Sequence, residues 1–98
     1  MRPRLTSLLD HLMGSRSRAA VIRVLYAPRA GDERLWFRQI GRAARVGMGQ
    51  LYEQLQWLEH LGLLRMRREG GALFIEARTD LPLGAALEAL VRAAADYE

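Results

Sequence analysis

Apolar residues recur along this chain with two different periods, and the points where the period changes divide it into elements. Leu5, Leu8, Leu9 and Leu12 share one face of a short helix over residues 5 to 13, which Gly14 ends. Ser15 then serves as N-cap for a second helix running to Tyr26, with Val21, Ile22, Val24 and Leu25 as its apolar set and Pro28 preventing its continuation. A polar loop from Arg29 to Arg34 leads into Leu35, Trp36 and Phe37, a short aromatic strand expected to pair with the wing. Ile40 and Ala44 repeat at helical spacing, a glycine-broken link of Val46, Gly47, Met48 and Gly49 follows, and Leu51, Leu55 and Leu58 resume the helical period. Gly62 stops that helix. Leu64 to Arg68 and Ala72 to Ala77 read as two strands joined by Glu69, Gly70 and Gly71, where adjacent glycines supply the positive backbone angles of a tight hairpin. Asp80, Leu81 and Pro82 open a last helix, over about 81 to 95, with Leu83, Leu87, Leu90, Val91 and Ala94 on one face.

Two helices joined by a turn and followed by a β-ribbon make a winged helix. The expected fold is therefore mainly α with a small β-wing: a winged helix-turn-helix with extra N- and C-terminal helices, as a single domain over residues 1 to 98. No internal repeat or interdomain linker interrupts it. A chain of 98 residues buries a modest fraction of its surface, so self-association is a natural supplement. The two terminal stripes, at 5–13 and 81–95, offer more apolar surface than a three-helix winged core needs. A two-fold homodimer interface is the expected use of the excess, with packing inside one subunit as the alternative.

Charge narrows the partners. All 15 basic residues are arginine, against 11 acids, giving a net charge of +4. The balance favours polyanions in general, although arginine in place of lysine also follows from a GC-rich coding sequence. The distribution is uneven: residues 1 to 52 hold ten arginines and three acids, residues 53 to 98 five arginines and eight acids. The absence of cysteine excludes a disulfide framework and a thiolate metal site. His11 and His60 belong to no spaced ligand cluster. No glycine-rich phosphate loop with its lysine occurs, Ser7, Ser15 and Ser17 have no base arranged with them, and Asp32 and Glu33 sit in a polar loop. A non-enzymatic protein without cofactors or metal is expected. No apolar run reaches membrane-spanning length and the first residues lack a cleavable signal pattern, so no membrane association and a cytoplasmic location are expected.

Gly14, Ser15 and Arg18 before VIRVL, then Phe37, Arg38, Ile40 and Arg42, then Leu51, Leu55, Leu58, Glu59, Gly62, Leu63 and Leu64 form a pattern continued by Arg67, Arg68, Glu69, Gly70, Ala77, Pro82 and Leu83. Over about residues 5 to 92 this resembles the ArsR-like winged helix-turn-helix transcriptional regulators, in particular a compact group with a GS-x-x-R helix near the start. The resemblance implies a DNA-binding regulator, commonly dimeric. The chain departs from the pattern at the turn, with Arg45 where glycine is usual and Gly47 where a serine N-cap is usual. Many relatives carry basic residues on the outer face of the recognition helix. Here that face offers Gln50, Tyr52, Glu53, Gln56 and Trp57, and the wing tip carries Ala72 and Leu73.

A helix fits the major groove of B-form DNA, where outward side chains near its N-terminus reach base edges. With Leu51, Leu55 and Leu58 inward, the recognition helix over about 49 to 60 turns Gly49, Glu53, Gln56, Trp57 and His60 outward, flanked by Gln50 and Tyr52. Gln50 and Gln56 are the best base readers, since a glutamine amide donates and accepts together at adenine. Tyr52 stands beside them, and Gly49 lets the backbone come close to the duplex. The bland alternative is a solvated polar face. Glu53 is expected to pair with an arginine of its own chain, and Trp57 to pack partly against core or wing; an exposed Trp57 would argue for a protein interface. Arg38, Arg42 and Arg45 on the preceding helix and its end face phosphates, with Arg16 and Arg18 as further candidates. On the wing, about 64 to 77, alternation sends Arg65 and Arg67 to one side and Met66 and Arg68 to the other. Arg67 and Arg68 complete the phosphate set. Double-stranded DNA is thus the expected partner, and a winged helix used as a protein-interaction module is the alternative.

Overall fold

The computed structural model describes residues 13–27 and 34–97. In chain order the elements are α1 (Arg16–Tyr26), β1 (Leu35–Trp36), α2 (Phe37–Ala44), α3 (Met48–His60), β2 (Leu64–Glu69), β3 (Ala72–Ala77) and α4 (Pro82–Tyr97). The expected N-terminal helix lies outside the described residues except for Met13. The aromatic strand is shorter than its sequence implies, because Phe37 already begins α2.

Local signals account for most boundaries. Gly14 takes φ +70, and the Ser15 side chain accepts a hydrogen bond from the Arg18 amide at 3.2 Å, capping α1. The Gln39 side chain reaches back to accept from the Trp36 amide at 3.2 Å, satisfying a donor at the start of α2. At the hairpin Gly70 and Gly71 take φ +55 and +82, the paired positive angles of a two-residue turn whose twist matches that of its strands.

The three strands form an antiparallel sheet in the order β1-β3-β2. Its register separates two faces. Leu35, Ile75 and Met66 lie in one row on the core side, and Trp36, Phe74 and Arg67 lie in the next row on the opposite side. The core gathers Val21, Ile22, Leu25 and Tyr26 of α1, Ile40 of α2, Leu51 and Leu55 of α3, Leu64 and Ile75 of the sheet, and Val91 and Ala94 of α4. Helix α1 packs on both α2 and α4.

α2 and α3 approach closely at Gly41. A Cβ there would sit 3.2 Å from Met48 Cε and 3.3 Å from Leu51 Cδ2, so a bare backbone sets the helix spacing. The intervening turn is a Schellman-type stop, with the Arg45 amide donating to the Arg42 carbonyl at 3.3 Å and the Val46 amide to the Gly41 carbonyl at 3.1 Å. Arg45 itself takes the left-handed conformation (φ 57, ψ 48), the position where glycine is usual. Gly47 is the N-cap of α3 and contributes no side-chain hydrogen bond, so the helix begins one residue earlier than its sequence signals.

The apolar stripe of α4 is largely consumed within the subunit. Val91 and Ala94 are buried and Leu87 and Leu90 pack partly against the core, while Leu83 remains 55% exposed. Gly84 is buried where the Arg78 carbonyl passes, leaving no room for a side chain.

The winged helix-turn-helix fold read from the sequence is the fold of the chain: helices dominate, and β2 and β3 form the wing.

Candidate nucleic-acid interface

The two faces of α3 divide as its periodicity requires. Leu51 and Leu55 are fully buried and Leu58 nearly so, while Gly49, Gln50, Tyr52, Glu53, Gln56, Trp57 and His60 are exposed. A Cβ at Gly49 would meet nothing within 4 Å, so no packing contact requires glycine there. Tyr52 leans toward α2, its ring edge-on to Phe37 with centroids 6.2 Å apart. At the far end of the helix, a Glu59 carboxylate oxygen accepts from the Met66 amide of β2 at 2.7 Å, tying α3 to the first wing strand.

Between α3 and the wing runs a front groove. It is lined by Met48, Gly49 and Tyr52 of α3, by Arg68, Leu73 and the Gly70–Gly71 turn of the wing, and by Trp36, Phe37 and Arg38. Four of the residues singled out from sequence, Arg38, Gly49, Tyr52 and Arg68, therefore meet around one concavity. Gln50 and Gln56 lie on the exposed surface of α3 outside the groove lining.

Arg42 lines a second groove, together with Arg34, Trp36, Arg38, Gln39 and Phe74. Arg67 stands opposite Phe74 on the outer sheet face, two-sided alternation having put it away from Arg68. Arg45 is exposed at the left-handed turn and lines neither groove. The arginines singled out from sequence thus do not gather in one place: Arg38 and Arg68 line the front groove, Arg38 and Arg42 the second, and Arg45 and Arg67 neither.

Two expectations about α3 are corrected. Trp57 does not pack into core or wing: it is 63% exposed, and its recorded ring contact is with His60, edge-on at a centroid distance of 6.1 Å. Its position four residues after Glu53 keeps it on the outer stripe, beyond the reach of the wing. Glu53 pairs with no arginine among the described residues; α2 and β2 present their arginines elsewhere, and the carboxylate faces solvent.

Sequence reasoning passed over Arg34, Trp36 and Phe74. Their joint signal is visible only once β1 is paired with β3, because Trp36 and Phe74 are 38 positions apart and become neighbours through the register. Gln54 was also unremarked; its Oε1 is buried with no hydrogen-bond partner among the described residues.

Among the described residues, no group of three or more His, Cys, Asp or Glu side chains gathers as a metal site, and no helix is long and apolar enough to cross a membrane.

No protein-family model matches the chain, and no curated protein sequence matches it. Solved structures do share its fold. Reduced HlyU from Vibrio cholerae superposes with a TM-score of 0.62 at 23% identity, covering 87% of this chain and 83% of that one. The transcriptional regulator BldR from Sulfolobus solfataricus gives a TM-score of 0.63 at 16% identity, over 91% of this chain and 61% of its own. MepR, a transcription regulator of the Staphylococcus aureus multidrug efflux pump MepA, gives 0.63 at 17% identity, over 87% and 63%. The chain spans less than two thirds of BldR and of MepR.

Proposed function

We propose that the chain is a dimeric, ArsR-like winged-helix transcriptional regulator that binds double-stranded DNA sequence-specifically. Helix α3 enters the major groove, Gln50, Tyr52 and Gln56 read bases, and Gly49 admits the backbone. Arg38, Arg42, Arg45, Arg67 and Arg68 hold phosphates, which position the protein without specifying sequence. The whole chain acts as one winged-helix domain, non-enzymatic and cytoplasmic. Two copies associate through α4 and the N-terminal segment, where Leu83 stands exposed, and the pair sets two recognition helices about one turn of DNA apart.

The observation that carries this reading is the front groove: Arg38 and Arg68 both line it beside Met48, Gly49 and Tyr52 of the N-terminal half of α3, whose outer side chains are exposed. The fold is shared with two proteins described as transcription regulators.

The test is selection of bound fragments from pooled genomic DNA, followed by fluorescence anisotropy on an enriched duplex across a salt series. If about four to six arginines meet phosphates, the logarithmic slope falls near −0.9 per contact. Absence of enrichment from a folded dimer would count against the reading.

A second reading draws on Trp57 and Leu61, which are 63% and 57% exposed at the C-terminal end of α3. Large exposed apolar side chains of this kind anchor protein partners. Under that reading Trp57→Ala abolishes partner association, whereas Arg38→Ala with Arg42→Ala leaves it intact; under the DNA reading the arginine pair weakens binding to every duplex.

A further inference from the structure

Trp36 and Phe74 face away from the core with ring centroids 4.4 Å apart, and Trp36 is 50% exposed. The Arg34 guanidinium lies over the Phe74 ring at 4.4 Å and donates to Glu69 at 2.7 Å. Arg38 and Arg42 of α2 form the opposite wall of this outer groove, so its described lining holds three guanidinia and no carboxylate. The core makes no use of Arg34 or Trp36.

Three properties decide what fits there. Guanidinia flanking exposed rings suit an anion whose charges are separated by apolar matter, as phosphates are by sugars. The groove is open along its length, unlike the concave sites that bury most of a small ligand. It also joins the front groove, since Trp36 and Arg38 line both. By strand alternation the front groove takes Arg68 and Leu73 from one face of the wing and the outer groove takes Phe74 from the other, so arginine-lined grooves stand on both faces of the sheet.

We propose that the outer groove is a second DNA-backbone site, in which Arg34 holds a phosphate of the strand beyond the wing and the Trp36 ring lies against its sugar. This rests on the DNA-binding reading of the front groove and extends it to the opposite face. In the free protein Glu69 occupies Arg34; on the duplex a phosphate displaces it. Glu69 is therefore an internal competitor for DNA.

The experiment measures anisotropy of a mixed-sequence duplex of about three turns, ~30 base pairs, across a salt series with wild type, Arg34→Ala, Glu69→Gln and the double variant. Arg34→Ala should lower affinity roughly fivefold to tenfold at ~0.1 M salt and flatten the logarithmic slope by about 0.9. Glu69→Gln should raise affinity about threefold by freeing the cation, and the gain should vanish in the Arg34→Ala background. Loss of a merely structural ion pair would not raise affinity. If wild type binds the duplex but Arg34→Ala leaves the slope unchanged, or the Glu69→Gln gain survives without Arg34, the outer site is overturned and the front-groove reading stands. If wild type binds no duplex, both fall. In a Trp57→Phe background, which leaves Trp36 as the remaining tryptophan of two, quenching by duplex supports the site; quenching by polyglutamate alone overturns it and assigns the groove to an acidic protein.

Discussion

The Tyr26 hydroxyl on α1 donates a 2.6 Å hydrogen bond to the carbonyl of Leu63, which lies between α3 and the wing. The same carbonyl accepts from the Arg78 amide at 2.8 Å, just after β3. One oxygen thus joins the first helix, the α3–β2 link and the β3–α4 link, and fixes how the wing leaves the helix.

Tyr26→Phe should lower stability by about 1 kcal/mol, the worth of one buried hydrogen bond whose acceptor keeps another donor. Urea unfolding of both proteins at neutral pH checks this. Burial, and secondarily the Glu88 carboxylate, push the Tyr26 phenol up to about 12. Because the folded value lies above the unfolded one of about 10, this contribution is complete below about pH 10 and is lost as pH rises toward 12. The Phe variant should lack that part of the alkaline loss.

Gly84→Ala should be among the most damaging single substitutions. Its methyl would run into the Arg78 carbonyl, and both neighbours are backbone, so α4 must shift as a body. A loss of about 3 kcal/mol or more is expected, at the upper end for overpacking, visible as a large fall in Tm. Gly47→Ala, where a Cβ meets nothing within 4 Å, is the control.

Arg45→Gly should separate stability from binding. Glycine relieves the left-handed conformation and should raise stability by about 1 kcal/mol. If Arg45 meets a phosphate, duplex affinity falls in the same variant. Thermal unfolding and anisotropy moving in opposite directions is the expected result; a gain in both would remove Arg45 from the interface.

Gly49→Ala should behave alike for a different reason. The position is helical and open, so alanine should stabilise α3 by a few tenths of a kcal/mol to about 1 kcal/mol. The added methyl would obstruct close backbone approach to the duplex, and affinity should fall severalfold. Unchanged affinity would show that the backbone does not come close.

Much of the fold was legible because it is encoded locally. Ser15, Gly62 and the Gly70–Gly71 pair mark boundaries by their own chemistry, and Leu51, Leu55 and Leu58 fix the inward face of α3 by spacing alone. The candidate site was legible only in part. Arg38 and Arg68 could be assigned to the right faces from periodicity, but their meeting across one groove depends on the angle between α3 and the wing, which Tyr26 and Glu59 help to set. The Arg34–Trp36–Phe74 cluster needed strand pairing between distant segments. Trp57 was misjudged because a large apolar side chain is ordinarily covered, and helical phase had already put it on the outer stripe.

Among the described residues, strand β2 lies at the border of its sheet, with β3 as its one partner. An unpaired strand border is a template for another chain. Here the Met66 amide is occupied by Glu59, and Arg65, Arg67 and Arg68 crowd the same six residues with like charge. Their repulsion discourages a second copy from adding its own strand. A variant with all three arginines neutralised should therefore form aggregates that the single substitutions do not, since like charge along one strand keeps a second copy from extending the sheet.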